Sequence, residues 1–161
     1  DLREDRPEVG MWAQDWTMHI YGEGILRENL QKQLISLGLE DSCFLEHHTL
    51  QIGECFKTSS LFVLSSRFEG WGLVIVEAMA YGLPVVSFAC PCGPKEIIVD
   101  GVDGFLVEPQ NIKELACKIS YVIENEEIRK TMGYQASVNV HRYDIERIVP
   151  RWVQLFEELT I

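Results

Sequence analysis

A chain of 161 residues, 47% of them hydrophobic, can bury about two-thirds of its unfolded surface, and nothing in it resembles a linker between two cores. Its formal net charge of −11 excludes nucleic acid and anionic membrane as partners of this domain. No apolar run approaches the roughly 20 residues of a membrane span and no signal-peptide pattern opens the chain, so it reads as soluble and cytoplasmic.

Residues 1–15 mix charges with Pro7 and Gly10, show no sustained period, and read as an irregular leader or the remnant of a truncated first βα unit; the domain proper is expected over 16–161. Thr17 to Tyr21 reads as a strand ended by Gly22-Glu23-Gly24. Leu26, Leu30, Leu34 and Leu37 then mark one face of a helix that Gly38 closes. A second strand is expected over Cys43 to Glu46, a short helix over Gln51 to Thr58, and a third strand over Leu61 to Leu64. Gly70-Trp71-Gly72 reads as a tight loop, and Leu73 to Ala80 as a helix stopped by Gly82 and Pro84. Pro84 to Phe88 and Phe105 to Val107 are the fourth and fifth strands. The carboxyl third is helical: Asn111 with Glu114 resembles a capping box opening one helix, a second runs from about Glu126 to Asn139, and a third from Asp144 to Leu159 with a bend expected at Pro150.

Strands that are apolar throughout and alternate with helices define an α/β fold, a Rossmann-like doubly wound parallel sheet whose ligands bind beyond the carboxyl ends of the strands. The five cysteines are odd in number and scattered, which argues for reduced thiols, and Cys90-Pro91-Cys92 reads as a loop feature because no second cysteine or histidine pair accompanies it.

The segment SSRFEGWGLVIVEAMAYG, residues 65–82, carries the chemistry, with Glu69 and Glu77 on either side of seven residues and two glycines next to the first. Glycines let backbone N–H groups converge at a helix start, where the macrodipole favours a phosphate. Glu77 shares a helix face with Leu73, Val76 and Ala80, where a carboxylate is expected to be poorly solvated and to need a partner such as a ribose diol. Without the glycines, a carboxylate reaching solvent or an arginine is the blander reading.

The ordered motifs IYGEG, VLSS, EGWGL, EAMAYGLPVV, GPKEII and DGVDGFLV, from about Trp16 to Leu159, resemble the carboxyl-terminal, donor-binding domain of family-4 glycosyltransferases of the GT-B fold, the retaining enzymes also called group 1. The resemblance implies that Glu69 contacts the donor sugar near the reacting centre, that the backbone of Gly70, Trp71, Gly72 and Leu73 faces the diphosphate, and that Glu77 binds the ribose hydroxyls. Arg67 and Lys95 are the local cations that could offset the net charge at a diphosphate, or are solvated surface cations. His47 and His48 stand where the family contacts the nucleobase, or form a solvated pair. Trp71 is a loop anchor or a sugar platform. No metal motif is evident and no cofactor is implied beyond a nucleotide diphosphate sugar as donor.

The family's opening strand, ending in Gly-Arg, and the lysine loop after it are not found before Trp16, so the first βα unit is expected to be missing and the chain to be a fragment. Strands Thr17–Tyr21 and Leu61–Leu64 would then lose the neighbour between them. Direct pairing, filling by Glu8 to Ala13, or self-association is expected to close the sheet. The resemblance further implies an acceptor-binding amino-terminal domain as partner, no transfer by the fragment alone, and a role in cell-surface polysaccharide or glycolipid synthesis. Two alternatives stay open: a non-catalytic GT-B-like assembly module, and a sugar-nucleotide epimerase domain, which the EGWGL loop does not support.

Overall fold

The structure, a computed structural model, describes residues 16–160. The expected leader, including Glu8 to Ala13, lies outside the described residues. The chain divides into two compact units, one ending at Glu54 and the other beginning at Cys55. The sequence marks no such boundary because it falls inside a helix, α2 (Ile52–Thr58), rather than in a Gly- or Pro-rich linker.

The first unit is a βαβ crossover. Strand β1 (Met18–Tyr21) pairs in parallel with β2 (Cys43–Glu46), Met18 opposite Cys43 and Tyr21 opposite Glu46, and α1 (Arg27–Leu37) connects them. Gly38 ends α1 in the left-handed region at φ 65°, and the Leu39 N–H reaches back to the Leu34 carbonyl at 3.0 Å, a Schellman closure that glycine adopts without strain. Neither β1 nor α1 contains a buried residue. Two strands and one helix hold too little apolar surface to bury one another.

The second unit has a three-stranded parallel sheet in the order β3 (Phe62–Leu64), β4 (Val85–Phe88), β5 (Gly104–Val107). Among the described residues β1 pairs with β2, and β3 with β4. Every residue of the central strand β4 is buried, and its side chains alternate between two cores. Val85 packs with Ile75 and Met79 of α3 (Leu73–Ala80), Ile97 of α4 (Pro94–Ile97) and Ala136 of α6 (Glu126–Asn139). Val86 and Phe88 pack on the other face with Val107 and with Leu115 and Val122 of α5 (Ile112–Glu124). The result is a helix–sheet–helix sandwich.

Main chain seats directly on main chain at several places in this unit, two of them within the sandwich. A β-carbon on Gly104 would lie 2.3 Å from the Val85 carbonyl oxygen, and one on Gly133 of α6 would lie 2.2 Å from that of Gly82. At the start of α5, Asn111 Oδ1 accepts the Glu114 N–H at 3.2 Å while its Nδ2 donates to the Glu114 carboxylate at 2.8 Å, a variant of the expected box in which the glutamate takes the side-chain amide. The GPKEII segment holds one helical turn, α4, begun by Pro94 at its first position. A 3-10 turn, Val140–Tyr143, leads into α7 (Ile145–Leu159), which runs through Pro150.

Candidate functional site

The loop after β3 delivers Glu69 to Gly72 to the start of α3. Gly72 caps that helix with φ 83°, and a β-carbon there would come within 3.1 Å of Ile75 Cδ1. The amides of a helix's first turn have no intrahelical acceptors, and α3 carries no acidic residue in its first turn to compete for them. Helix α3 packs by Ile75, Ala78 and Met79, leaving Leu73, Glu77 and Ala80 on its open face. Glu77 is therefore exposed, not the poorly solvated carboxylate expected.

A second loop leaves the carboxyl end of the neighbouring strand β4 and closes on the first. Gly93, at φ 75°, sits so tightly on Trp71 that a β-carbon would lie 2.0 Å from the Trp71 carbonyl oxygen. Cys90, fully buried, lies beside Glu69: burial pushes its thiol pKa up and the Glu69 carboxylate adds to this, against main-chain hydrogen bonds from Cys90 and Glu69. Glu69, Trp71, Cys90 and Gly93 thus share one corner at the carboxyl end of the sheet. Arg67 and Lys95 are exposed, and neither forms an ion pair among the described residues. The half-buried Trp71 ring meets Tyr143 edge-on, centroids 5.0 Å apart at 89°.

Two supports of this corner, Tyr143 and Arg142, carry no sequence signal. The Tyr143 hydroxyl donates to the Glu96 carbonyl at 3.1 Å, and Arg142 donates to the Ile97 carbonyl, contacts separated by 47 and 45 residues. Asp103, fully buried within DGVDG, accepts the Val99 N–H and the Asn139 side-chain amide, both at 2.8 Å. A carboxylate between paired glycines was the one hint of it.

His47 and His48 belong to the first unit and form a separate set. His47 Nδ1 lies 2.6 Å from Glu23 Oε1, and this hydrogen bond, with smaller help from the His48 main chain, the His47 charge and Arg27, holds the exposed Glu23 carboxyl below its usual range despite a little burial. Arg27, missed in the sequence, bridges the strand ends by donating to the Gly22, Leu45 and Glu46 carbonyls at 3.2, 2.6 and 3.0 Å. Its place three residues after the Gly22-Glu23-Gly24 turn was the available signal. The described residues hold five free cysteines, no cluster of three His, Cys, Asp or Glu fit for a metal ion, and no helix long and apolar enough to cross a membrane.

Parallel βα units with two glycine-bearing loops at the carboxyl ends of adjacent strands define a Rossmann-like domain of the kind found in GT-B glycosyltransferases. The family described as "Glycosyl transferases group 1" matches residues 10–138, and the chain belongs to it. A Staphylococcus aureus (strain COL) protein named poly(ribitol-phosphate) alpha-N-acetylglucosaminyltransferase is 35% identical over 139 residues, which are 86% of this chain and 28% of that relative. The crystal structure of TarM superposes with a TM-score of 0.84 at 34% identity, covering 92% of this chain and 30% of TarM. That of Anabaena HepE in complex with UDP does so with a TM-score of 0.83 at 27% identity, covering 98% and 43%. The chain thus spans between about a quarter and somewhat under half of the length of these relatives.

Proposed function

We propose that this domain binds the UDP-sugar donor of a retaining glycosyltransferase that extends or decorates a cell-surface polymer. The observation that carries the reading is the seat of Gly93 on Trp71, which joins two loops, the start of α3 and Glu69 into one corner at the ligand end of a parallel sheet. UDP in the HepE structure and the polymer named for the S. aureus relative support the choice of donor and acceptor.

In this reading the amides of Gly70 to Leu73 and the α3 N-terminus face the diphosphate, with Arg67 and Lys95 offsetting its charge. As the glycosidic bond breaks, the sugar becomes oxocarbenium-like and negative charge builds on the departing phosphate, where fixed dipoles stabilise the transition state more than the ground state. Glu69 stands at the sugar. Glu77, on the open face of α3, accepts the ribose hydroxyls without first having to be uncovered. The acceptor is held by an amino-terminal domain, so the 161-residue chain alone binds donor weakly and transfers nothing.

Calorimetric titration of the full-length protein with UDP, GDP and ADP tests this. UDP is expected to bind most tightly, and failure of all three to bind would overturn the reading.

A further inference from the structure

We propose that Arg142 and Tyr143 are positioning residues of the donor site, a strut in the carboxyl-terminal third that fixes the two donor loops against each other. The proposal rests on the donor-binding reading above and adds to it two residues that touch no reacting atom.

The geometry is specific to these side chains. The Tyr143 ring stands edge-on against Trp71, in the loop after β3, while its hydroxyl donates to the Glu96 carbonyl in α4, which follows β4. One side chain thus touches both loops that meet at Gly93. Arg142 forks to the Ile97 and Asn139 carbonyls and lays its guanidinium 4.7 Å over the Tyr143 ring. A four-residue helix such as α4 leaves nearly all its carbonyls without intrahelical donors, and those at its end gain most from a cation and a hydroxyl. The strut is itself anchored, since Asn139 donates to the buried carboxylate of Asp103, which also accepts the Val99 N–H just past α4. Helix α4 is therefore held from its carboxyl end, and its first residues, Pro94 and Lys95, are aimed from there. Misplacing reacting groups by about 1 Å costs roughly 100-fold in rate, so a strut of this kind acts on function before it acts on folding.

The test uses the full-length protein with UDP as probe. Tyr143→Leu removes ring and hydroxyl, Tyr143→Phe the hydroxyl alone, and Arg142→Lys the fork but not the charge. Tyr143→Leu and Arg142→Lys are each expected to raise the UDP dissociation constant about tenfold or more, with faster hydrogen exchange at Trp71 to Leu73 and Lys95 to Ile98, while Tyr143→Phe stays within about threefold of wild type and speeds exchange only around Glu96. Unchanged UDP affinity in Tyr143→Leu overturns the proposal, even if its unfolding midpoint falls, because the turn is then structural only. Should Tyr143→Leu not fold, Arg142→Lys decides on the same criterion. A wild type that binds no nucleoside diphosphate overturns the donor-binding reading and the proposal with it, a result distinct from a binding wild type and a binding Tyr143→Leu.

Discussion

Glu77 and Glu69 stand one loop apart in different surroundings, and their substitutions should read out differently. Glu77 is exposed on α3, so Glu77→Gln in the full-length protein is expected to weaken UDP binding by about tenfold, the size of a charged hydrogen bond, while unfolding stability stays within about 0.5 kcal/mol. Calorimetry and urea unfolding check the pair, and wild-type affinity would rule out the ribose contact. Glu69 is half-buried beside Cys90, and Glu69→Ala is expected to lower turnover by about 100-fold with donor affinity nearly unchanged. Steady-state kinetics with the natural acceptor decides, and full activity would remove Glu69 from the chemistry. The same neighbourhood governs the thiols. A raised pKa leaves Cys90 with less thiolate at any given pH, so with iodoacetamide at pH 7 the exposed Cys92 and Cys117 should label first and Cys90 only on unfolding, as read by mass spectrometry.

Elements with a long period or a cap could be read from the sequence. Helices α5 and α6 and the apolar strand β4 emerged close to where they lie, because thirteen or fourteen residues, or a run bounded by Pro84 and the Cys90 loop, leave little ambiguity. Helix α4 did not, since four residues cannot display a period. The surroundings of Glu77 were misjudged for a related reason: LVIVEAMA is apolar on almost every side, so spacing shows which residues share a face but not which face meets the sheet. The close approach of Gly93 to Trp71 and the Tyr143 contacts are non-local, and no local pattern encodes them. Now that the inner face of α3 is known, Ile75→Ala, which empties a fully buried position in the core around Val85, should cost about 2–5 kcal/mol in urea unfolding. A cost below about 1 kcal/mol would mean that α3 does not dock as described.

At the scale of the whole chain the salient surface is α7. It contains no buried residue; Trp152 and Phe156 are 54% and 59% exposed with rings 5.9 Å apart, and Val149, Val153 and Leu159 continue the stripe. Apolar patches of this kind on an isolated domain recruit a cover. The 161-residue chain by itself should therefore self-associate in sedimentation velocity, and Trp152→Glu with Phe156→Glu should return it to a monomer without shifting the unfolding midpoint. A monomer at every concentration for the unaltered chain would contradict this.

The glycine seats in the second unit have a consequence for heredity. At Gly93, Gly104 and Gly133 the space a side chain would need is already filled by a carbonyl or its neighbouring main chain. Every single-base change that alters a glycine codon either adds a β-carbon or stops the chain. No gradual route passes through these three positions: a lineage keeps the glycine or moves two backbone segments at once, whereas the side chains around the corner of Glu69 and Cys90 can be exchanged one by one.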